Sequence, residues 1–369
     1  MPMSSELFNV QEYMTRSMER VIEDAIRASQ ENPKEGAFLE NFAASGRLAA
    51  EKRRMAALEG EHIPPFLIAS ITSTCNLRCA GCYSRFFQAG RDRSAVSQLS
   101  DEEWTAVFDE AEELGIGFIL LAGGEPLLRM GVIEAAGMRP NILFPIFTNG
   151  VFMNEKYFGL FDRHRNLFPV LSVDGGRRQT DARRGEGMYV RLVENMNELF
   201  RRKLFYGVSV MVTAKNLREV TCDKFIDSLR ARGCKSVIYV EFIPVDESCG
   251  DLSLKEDERE TLEYELFRLR ETYPDLIFVS FPGDEKRLGG CIAAGRGLFH
   301  ISSHGAAEPC PFSPYSDVNV KETSIREALK SRLFRMLNQN GLLRDEHEGG
   351  CVLHQRKHFV EAVLNYEGE

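Results

Sequence analysis

Six apolar segments of strand type alternate with helical segments between residues 64 and 250, and this alternation limits the fold more than any other feature. The strand-type segments are Phe66–Thr72, Gly117–Ala122, Ile142–Thr148, Phe168–Val173, Phe205–Val212 and Ser236–Ile243. The helical segments between them are Ser100–Leu114, Leu127–Ala136, Asn154–Arg163, Met188–Arg202 and Leu217–Arg232. Strands that are apolar along nearly their whole length, with helical crossovers, are typical of a parallel sheet covered by helices. We therefore predict an α/β fold built on a parallel sheet.

The sequence predicts four regions along the chain. A helical extension precedes the alternating segments, a helical connector follows them, and a smaller region completes the chain. The predicted boundaries are residues 1–63, 64–250, 251–283 and 284–369. In the extension, apolar residues at helical spacing predict two helices, Val10–Ser29 and Phe38–Glu59, with a break at Asn32-Pro33 between them.

Three closely spaced cysteines follow the first predicted strand. Cys75, Cys79 and Cys82 have the spacing C-x3-C-x2-C, and no fourth cysteine lies nearby. Clustered thiolates hold iron–sulfur centres, so these three can bind three corners of a cubane 4Fe–4S cluster and leave one iron open. A structural zinc site is the alternative, but zinc usually takes four protein ligands. The spacing therefore predicts a 4Fe–4S cluster.

Polar and glycine-rich motifs stand at the ends of three further predicted strands. Gly123–Glu125 follows the second strand, where two glycines permit close approach of the backbone and the carboxylate can pair with a cationic amine. Asn149 follows the third strand, and Ser172 and Asp174 stand at the end of the fourth. Chemistry sits at the C-terminal ends of the strands in parallel barrels. These motifs and the cysteines are therefore expected to meet in one site.

The three-cysteine motif followed by Tyr83, together with the motifs at the other strand ends, resembles the radical S-adenosylmethionine (SAM) enzymes. The resemblance implies a partial (β/α)6 TIM-like barrel with a SAM-binding 4Fe–4S cluster held by Cys75, Cys79 and Cys82. In that family the open iron holds the amino and carboxylate groups of the methionine moiety. The residues that the resemblance implies for binding SAM are Gly81, Tyr83, Gly123, Gly124, Glu125, Asn149, Ser172, Asp174, Arg184 and Ile243.

The resemblance also implies roles within that set. Glu125 would bind the methionine amine, and residues placed like Ser172 and Arg184 would contact the ribose and the carboxylate. Backbone near Gly81 and the ring of Tyr83 would abut the adenine, and the sixth strand would bring apolar atoms such as those of Ile243 near its face. The alternatives are that Tyr83 is a core aromatic and Arg184 a solvated loop charge.

A second group of cysteines lies in the C-terminal region. Cys291, Cys310 and Cys351, with Gly305 in a Gly-x4-Cys spacing, resemble the start and end of the SPASM auxiliary-cluster domain. The middle cysteines of that domain are absent, so the resemblance implies a shortened, twitch-like version with one auxiliary 4Fe–4S cluster. Apolar segments around Ser303–Gly305 predict a hairpin within it. The alternative is that the three cysteines are buried free thiols, which are common in protein cores.

Three cysteines leave either an open iron or a fourth ligand of another kind. The candidates for that ligand are His354, His347, Cys249 or a carboxylate. Cys222, Cys234 and Cys249 have no comparable spacing and are otherwise predicted to be packed hydrophobes.

The resemblance implies an activity. One electron from the first cluster would break the C5′–S bond of SAM, and the resulting 5′-deoxyadenosyl radical would take hydrogen from a substrate at the barrel mouth. The auxiliary cluster would accept the substrate's electron or anchor the substrate. A flavodoxin or ferredoxin-type protein would supply electrons, and the substrate would be a peptide or a small metabolite. Pro311 stands where sulfatase-maturing relatives have a carboxylate, so that reaction is not expected.

Two other functions remain open from the sequence. One is an enzyme of the haem pathway that acts on porphyrin side chains. The other is a non-enzymatic iron–sulfur electron carrier or regulator, against which the motifs of a SAM pocket argue.

Composition limits the partners and the cellular location that we expect for this protein. The net charge of −9 argues against a nucleic-acid partner, because phosphate binding needs clustered Lys and Arg. No apolar stretch approaches 18 residues, so no membrane span is expected. The N-terminus is polar and acidic and does not resemble a signal peptide. We therefore expect a cytoplasmic protein whose nine cysteines are better explained as metal ligands than as disulfides.

Overall fold

The computed structural model describes residues 33–89, 97–244, 247–344 and 351–365, and the predicted helix Val10–Ser29 lies outside them. A sheet organises the described chain. Its strands are β1 Phe66–Thr72, β2 Phe118–Gly123, β3 Phe144–Thr148, β4 Leu167–Val173, β5 Gly207–Val212, β6 Ser236–Glu241, β7 Ile277–Phe281, β8 Leu298–Ile301 and β9 Ala307–Glu308.

The strands form one open sheet with the order β7-β6-β5-β4-β3-β2-β1-β8-β9. Neighbours from β7 to β8 pair in parallel, and β9 pairs with β8 in antiparallel orientation. The parallel α/β partial barrel that the sequence predicts is therefore confirmed. Its open side lies between β7 and β9, which are the two ends of the sheet.

The sheet is longer than the six predicted strands. β7 extends it beyond β6, although the predicted connector around it was expected to be helical. The five residues of β7 are too short a run to separate a strand from the end of a buried helix by pattern alone. At the other side, β8 joins β1 with Ile68 opposite His300, so part of the C-terminal region continues the barrel sheet.

Helices connect the strands and cover the sheet. They are α1 Pro33–Leu58, α2 Tyr83–Ala89, α3 Asp101–Leu114, α4 Met130–Gly137, α5 Glu155–Arg163, α6 Arg177–Arg184, α7 Met188–Arg201, α8 Leu217–Thr221, α9 Asp223–Arg230, α10 Glu256–Thr272, α11 Ile325–Ala328, α12 Arg332–Gln339, α13 Val352–Gln355 and α14 Lys357–Asn365. Among the described residues, no helix combines the length and the apolar character that a membrane crossing needs.

Two of the predicted helices are each divided in the structure. The segment predicted as Leu217–Arg232 breaks at Cys222, whose backbone is extended at φ −76° and ψ 150°. The segment predicted as Leu127–Ala136 begins as the 3-10 turn Pro126–Leu128, and Arg129 separates that turn from α4. The helical spacing of apolar residues continues across both breaks and therefore did not reveal them.

Local signals fix the elements that carry the site. Ser100 and Glu103 form a capping box that starts α3, with the Glu103 N–H donating to Ser100 Oγ over 3.1 Å. In β1 alternate side chains, Leu67, Ala69 and Ile71, are fully buried in the main core. The other face of β1 carries Ser70, which is only partly buried and lines a cleft.

The described part of the N-terminal extension packs on the barrel. Phe42 of α1 meets Phe118 of β2 edge to face, with ring centroids 5.6 Å apart. Arg53 is 1% exposed and donates to the carbonyl of Gly115, which caps the end of α3. The capping carbonyl therefore receives a buried charge-assisted hydrogen bond, and α1 is held against the barrel by both polar and aromatic contacts.

The predicted hairpin in the C-terminal region is confirmed. β8 and β9 are its strands, with His300 opposite Glu308 and Ile301 opposite Ala307. Gly305 in its turn has φ +87°, and a Cβ there would lie 2.5 Å from Asn319 Oδ1. Only glycine fits this position without strain.

Candidate functional site

The first cysteine group lies in the loop between β1 and α2, at the C-terminal end of the barrel strands. Cys75 is exposed, and Cys79 and Cys82 are half-buried. The Ala80 N–H donates to the Arg183 carbonyl over 3.0 Å, which ties the loop to α6. The group therefore has one side open to solvent and one side fixed to the barrel.

The electrostatics of this loop suit a cationic metal centre. Although Cys75 as a residue is exposed, partial burial of its thiol raises the pKa, and Glu125, Cys79 and Cys82 raise it further. Burial also raises the pKa of Cys79, while Arg184 and Arg183 lower it. Thiolates this close repel one another without a metal, and bound iron would relieve that repulsion.

A single metal ion needs a different arrangement of ligands from an iron–sulfur cluster. Within the described ranges, no three His, Cys, Asp or Glu side chains are placed to hold a metal ion. The cysteines of a cubane cluster each bind a different iron, so their sulfurs lie farther apart than those around one ion. The donor set of three thiols in one loop fits such a cluster.

Glu125 is buried behind the cysteine loop, with 1% of its surface exposed. Its Oε1 accepts from Thr148 Oγ1 over 2.6 Å and from the Leu127 N–H over 3.0 Å. Its Oε2 accepts from the Asn149 N–H over 2.8 Å. Burial raises the pKa of Glu125, and these hydrogen bonds oppose the shift. A carboxylate has about four lone-pair positions, so one remains for a ligand.

Asn149 reaches toward the cysteine loop. Its side-chain amide donates to Asn76 Oδ1 over 2.9 Å and lies 4.0 Å from the Cys75 sulfur. Gly123 and Gly124 bring β2 close to β1, since a Cβ on either would lie within 2.4 Å of the Thr72 or Thr74 carbonyl oxygen, at 2.3 and 2.1 Å. The glycines are therefore required by the approach of two chain segments, whatever the ligand.

Asp174 and Arg184 form a buried ion pair. Asp174 is 2% exposed, and its Oδ2 accepts from Arg184 Nε over 2.5 Å. Arg183 Nη1 donates to Asp174 Oδ1 over 3.1 Å. The guanidinium of Arg184 thus has a buried partner and is not a solvated loop charge. Ser172 lies two residues before Asp174, on β4 and only partly buried.

An apolar wall closes the other side of the cysteine loop. Gly81 has φ +64°, and a Cβ at this position would lie 2.6 Å from the Phe242 ring. Ile243 follows and is 4% exposed. Phe242 was not singled out from the sequence, because an aromatic residue at the end of an apolar strand has no distinguishing pattern.

Tyr83 lies between the two cysteine groups. Its ring centroid is 4.9 Å from that of Phe312, which follows Cys310 by two residues. Burial raises the pKa of Tyr83, and Cys82 and Cys310 raise it further. Tyr83 therefore joins the loop after β1 to the C-terminal region.

The second cysteine group is more deeply buried. Cys291 and Cys310 are 7% and 3% exposed. Burial raises the pKa of both thiols well above the ordinary value, with Glu285 and Cys351 adding to the shift of Cys291. Burial raises the pKa of Cys351 to about 12 and that of Glu285 to about 8. Three thiols and one carboxylate therefore influence one another electrostatically.

The structure separates the candidates for a fourth ligand. Glu285 is 7% exposed and interacts with all three thiols of the second group. His354 is half-buried, and burial lowers its pKa. His347 and the side chain of Cys249 lie outside the described residues. Glu285 is thus a described carboxylate whose charge acts on all three thiols.

A small cleft lies beside both cysteine groups, since Tyr83 and Pro311, which follow Cys82 and Cys310, both line it. Its lining includes hydroxyl, imidazole and carboxylate side chains, although most of the surface that it exposes is apolar. The lining residues are Ser70, Thr72, Ser73, Tyr83, Ser84, Phe87, Gly123, His300, Ser302, Ser303, His304, Glu308, Pro311 and Pro314. Sequence reasoning missed Ser70, His300 and Glu308. A histidine within the apolar strand Leu298–Ile301 was the signal that could have found them.

The open parallel α/β barrel and the cysteine-bearing loop after its first strand indicate the class of this domain. The family model of the Radical SAM superfamily matches residues 69–229. Residues 69–229 therefore form a radical SAM domain, which implies a 4Fe–4S cluster and SAM as its cofactors, and curated relatives of the chain are named as enzymes.

Curated relatives carry several enzyme names. The chain is 26% identical over 329 residues to the AdoMet-dependent heme synthase of Methanosarcina barkeri, covering 79% of this chain and 89% of that protein. It is 26% identical over 165 residues to the sporulation killing factor maturation protein SkfB of Bacillus subtilis, covering 43% of this chain and 38% of that protein.

Solved structures share the fold. SuiB of Streptococcus suis bound to S-adenosylmethionine matches with a TM-score of 0.66 and 18% identity, over 88% of this chain and 80% of that one. Native anSMEcpe with bound AdoMet and the Cp18Cys peptide matches with a TM-score of 0.60 and 17% identity, over 77% of this chain and 84% of that one.

Proposed function

We propose that this enzyme cleaves SAM at a 4Fe–4S cluster held by Cys75, Cys79 and Cys82 and takes hydrogen from a substrate bound in the cleft. An auxiliary cluster held by Cys291, Cys310 and Cys351 lies on the far side of that cleft. The observation that carries the proposal is the position of Tyr83, which lines the cleft, follows Cys82 and packs on Phe312 at 4.9 Å. One substrate in this cleft would therefore be near both clusters.

The chain binds and orients SAM in this proposal. Glu125 uses its remaining lone-pair position to accept from the methionine amine, while its three internal hydrogen bonds hold the carboxylate still. Arg184, positioned by Asp174, would contact the methionine carboxylate, and Ser172 would contact the ribose. The wall of Phe242 and Ile243 packs on the adenine. When bound, the cluster and SAM supply a 5′-deoxyadenosyl radical.

The second cysteine group takes part in the same reaction. Its thiols are buried, so they fit a cluster that exchanges electrons with the substrate or anchors it. Glu285, which is buried and acts electrostatically on all three thiols, would provide a carboxylate ligand to that cluster. A flavodoxin or ferredoxin-type protein supplies the electron for the first cluster.

The substrate is a peptide or a small metabolite. The anSMEcpe structure contains a bound peptide, which supports a peptide substrate here. The heme synthase match over 89% of that protein supports a second candidate, a substrate with porphyrin side chains.

Anaerobic reconstitution followed by measurement of 5′-deoxyadenosine tests this function. We expect SAM-dependent 5′-deoxyadenosine from the wild type and none from a variant with Cys75, Cys79 and Cys82 replaced by Ala. Cys222→Ala, at an exposed cysteine outside both groups, is the matched control and should form the wild-type amount. Cleavage that persists in the triple variant would overturn the assignment.

A further inference from the structure

Ser70, His300 and Glu308 form a hydrogen-bonded series that the SAM site does not use. His300 is 5% exposed, with Nδ1 2.8 Å from Glu308 Oε2 and Nε2 2.8 Å from Ser70 Oγ. Ser70, His300 and Glu308 lie on β1, β8 and β9 in turn, and His300 pairs directly with Glu308 in the hairpin. Three neighbouring strands therefore fix the geometry of this series.

The donors and acceptors follow from the chemistry of each group. An ionised carboxylate can only accept, so Nδ1 of His300 donates to Glu308. A neutral imidazole then has a lone pair on Nε2, and the Ser70 hydroxyl donates to it. The Ser70 oxygen keeps its own lone pairs, and Ser70 lines the cleft. The series is thus arranged to draw a proton from the cleft toward His300.

Its position relates it to the substrate. All three residues line the cleft that also contains Tyr83, beside the first cysteine group. Glu308 is 1% exposed, so its carboxylate is held beside the His300 ring away from water.

We propose that Ser70 and His300 are the proton acceptor for the substrate in this cleft, with Glu308 as the positioning residue. The substrate would then carry a hydroxyl, thiol or amine on the carbon that loses hydrogen. This proposal rests on the proposed function, because it takes the radical from the SAM site and the electron acceptor from the second cysteine group.

The step balances for a secondary alcohol. Removal of the carbon-bound hydrogen leaves a radical on the carbon that bears the hydroxyl. The O–H bond then breaks, its proton passes to Ser70 Oγ, and the Ser70 proton moves to His300 Nε2. One electron leaves to the auxiliary iron–sulfur cluster, and the carbon and oxygen form a carbonyl bond. A positioned base typically contributes about 10²–10⁴-fold to such a proton transfer.

Deuterated 2-propanol, with deuterium on C2, is a probe that tests this step in the reconstituted enzyme. The measured quantities are deuterium in 5′-deoxyadenosine and acetone formed per 5′-deoxyadenosine. In the wild type we expect deuterium in 5′-deoxyadenosine and formation of acetone. In His300→Asn we expect deuterium transfer to persist and the acetone ratio to fall about tenfold or more. A merely structural role would not change this ratio.

Two further variants keep the test decisive. Ser70→Ala removes the cleft end of the series while leaving the His300–Glu308 pair, and we expect the same fall in the ratio. His358→Asn makes the same substitution at a histidine whose side chain is 85% exposed, and the ratio should stay at the wild-type value.

The outcomes separate this proposal from the proposed function. Ratios within about twofold of wild type in both His300→Asn and Ser70→Ala would overturn the proton acceptor, since a positioned base contributes far more than that. Wild-type 5′-deoxyadenosine that carries no deuterium from the probe would overturn it as well, while leaving SAM cleavage intact. An absence of 5′-deoxyadenosine in the wild type would overturn the proposed function itself and this inference with it.

Discussion

The backbone N–H of Asn149 donates to Oε2 of Glu125 over 2.8 Å and joins the loop after β3 to the motif after β2. The Asn149 side chain extends the connection to Asn76 beside Cys75. A buried carboxylate, an amide and the cysteine loop therefore share one hydrogen-bond network. A change in Glu125 is expected to affect both the loop and any ligand beside it.

The first prediction concerns Glu125→Gln. All three donors point at its carboxylate, so the glutamine amide nitrogen must face at least one N–H or O–H. We expect a loss of unfolding free energy of about 1–3 kcal/mol. SAM affinity should fall roughly tenfold or more, as the charge opposite the methionine amine is lost. Urea unfolding and a SAM titration at equal iron content measure the two effects.

Thr148→Val is the matched comparison for that prediction. It removes one donor from Oε1 and the acceptor of the Gly150 N–H, and leaves the charge of Glu125 in place. We expect a stability cost of about 1–3 kcal/mol and an unchanged SAM dissociation constant. A Glu125→Gln variant that binds SAM as tightly as the wild type would remove Glu125 from the pocket.

The second prediction concerns Asp174→Asn. This change leaves the guanidinium groups of Arg183 and Arg184 without the buried carboxylate that both contact. Loss of one partner of a buried ion pair typically costs about 3–5 kcal/mol. Chemical denaturation measures the cost. Asp251→Asn is the control, because this aspartate is 79% exposed in a 3.8 Å pair with Lys215 and should contribute less than about 1 kcal/mol.

The third prediction concerns Gly81→Ala. A Cβ at Gly81 collides with the Phe242 ring at 2.6 Å, and the positive φ adds backbone strain. We expect an overpacking cost of about 1–3 kcal/mol beyond the strain, together with reduced iron incorporation at the first cysteine group. Gly60→Ala isolates the strain, since Gly60 has φ +84° and no atom within 4 Å of an added Cβ. Equal stability losses in the two variants would contradict contact with Phe242.

The fourth prediction concerns the Tyr83–Phe312 pair. A double-mutant cycle with Tyr83→Leu and Phe312→Leu should give a coupling energy of about 0.5–1.5 kcal/mol, the usual value for an aromatic pair at this spacing. Guanidinium unfolding of the four proteins measures it. A coupling energy of zero would show that the two cysteine groups are not joined through these rings.

The sequence was sufficient for the parts of the fold that repeat. Six apolar runs and the helices between them predict the parallel sheet, and β1 occurs over the predicted residues Phe66–Thr72. It did not reveal that β8 pairs with β1, because strand order depends on packing between segments that are far apart in the chain. The break at Cys222 was also hidden, since the apolar spacing continues through it.

The residues of the candidate site also fall into two groups, those with a local sequence signal and those without one. The cysteine spacings and the motifs at strand ends have local sequence signals, so the sequence alone identifies their residues as candidates. Contacts between distant segments have no such signal. The Phe242 wall, the Glu285 carboxylate and the pairing of Ser70 with His300 all depend on tertiary packing. These residues come together only in the folded chain.

Iron stoichiometry with Mössbauer spectroscopy tests the two-cluster arrangement most directly. Two groups of three cysteines should bind about eight irons per chain, and replacing either Cys75, Cys79 and Cys82 or Cys291, Cys310 and Cys351 by Ala should leave about four. The second triple variant should still cleave SAM without turning over substrate. A wild type with about four irons, unchanged when Cys291, Cys310 and Cys351 are replaced, would contradict the auxiliary cluster and show that these cysteines are core thiols.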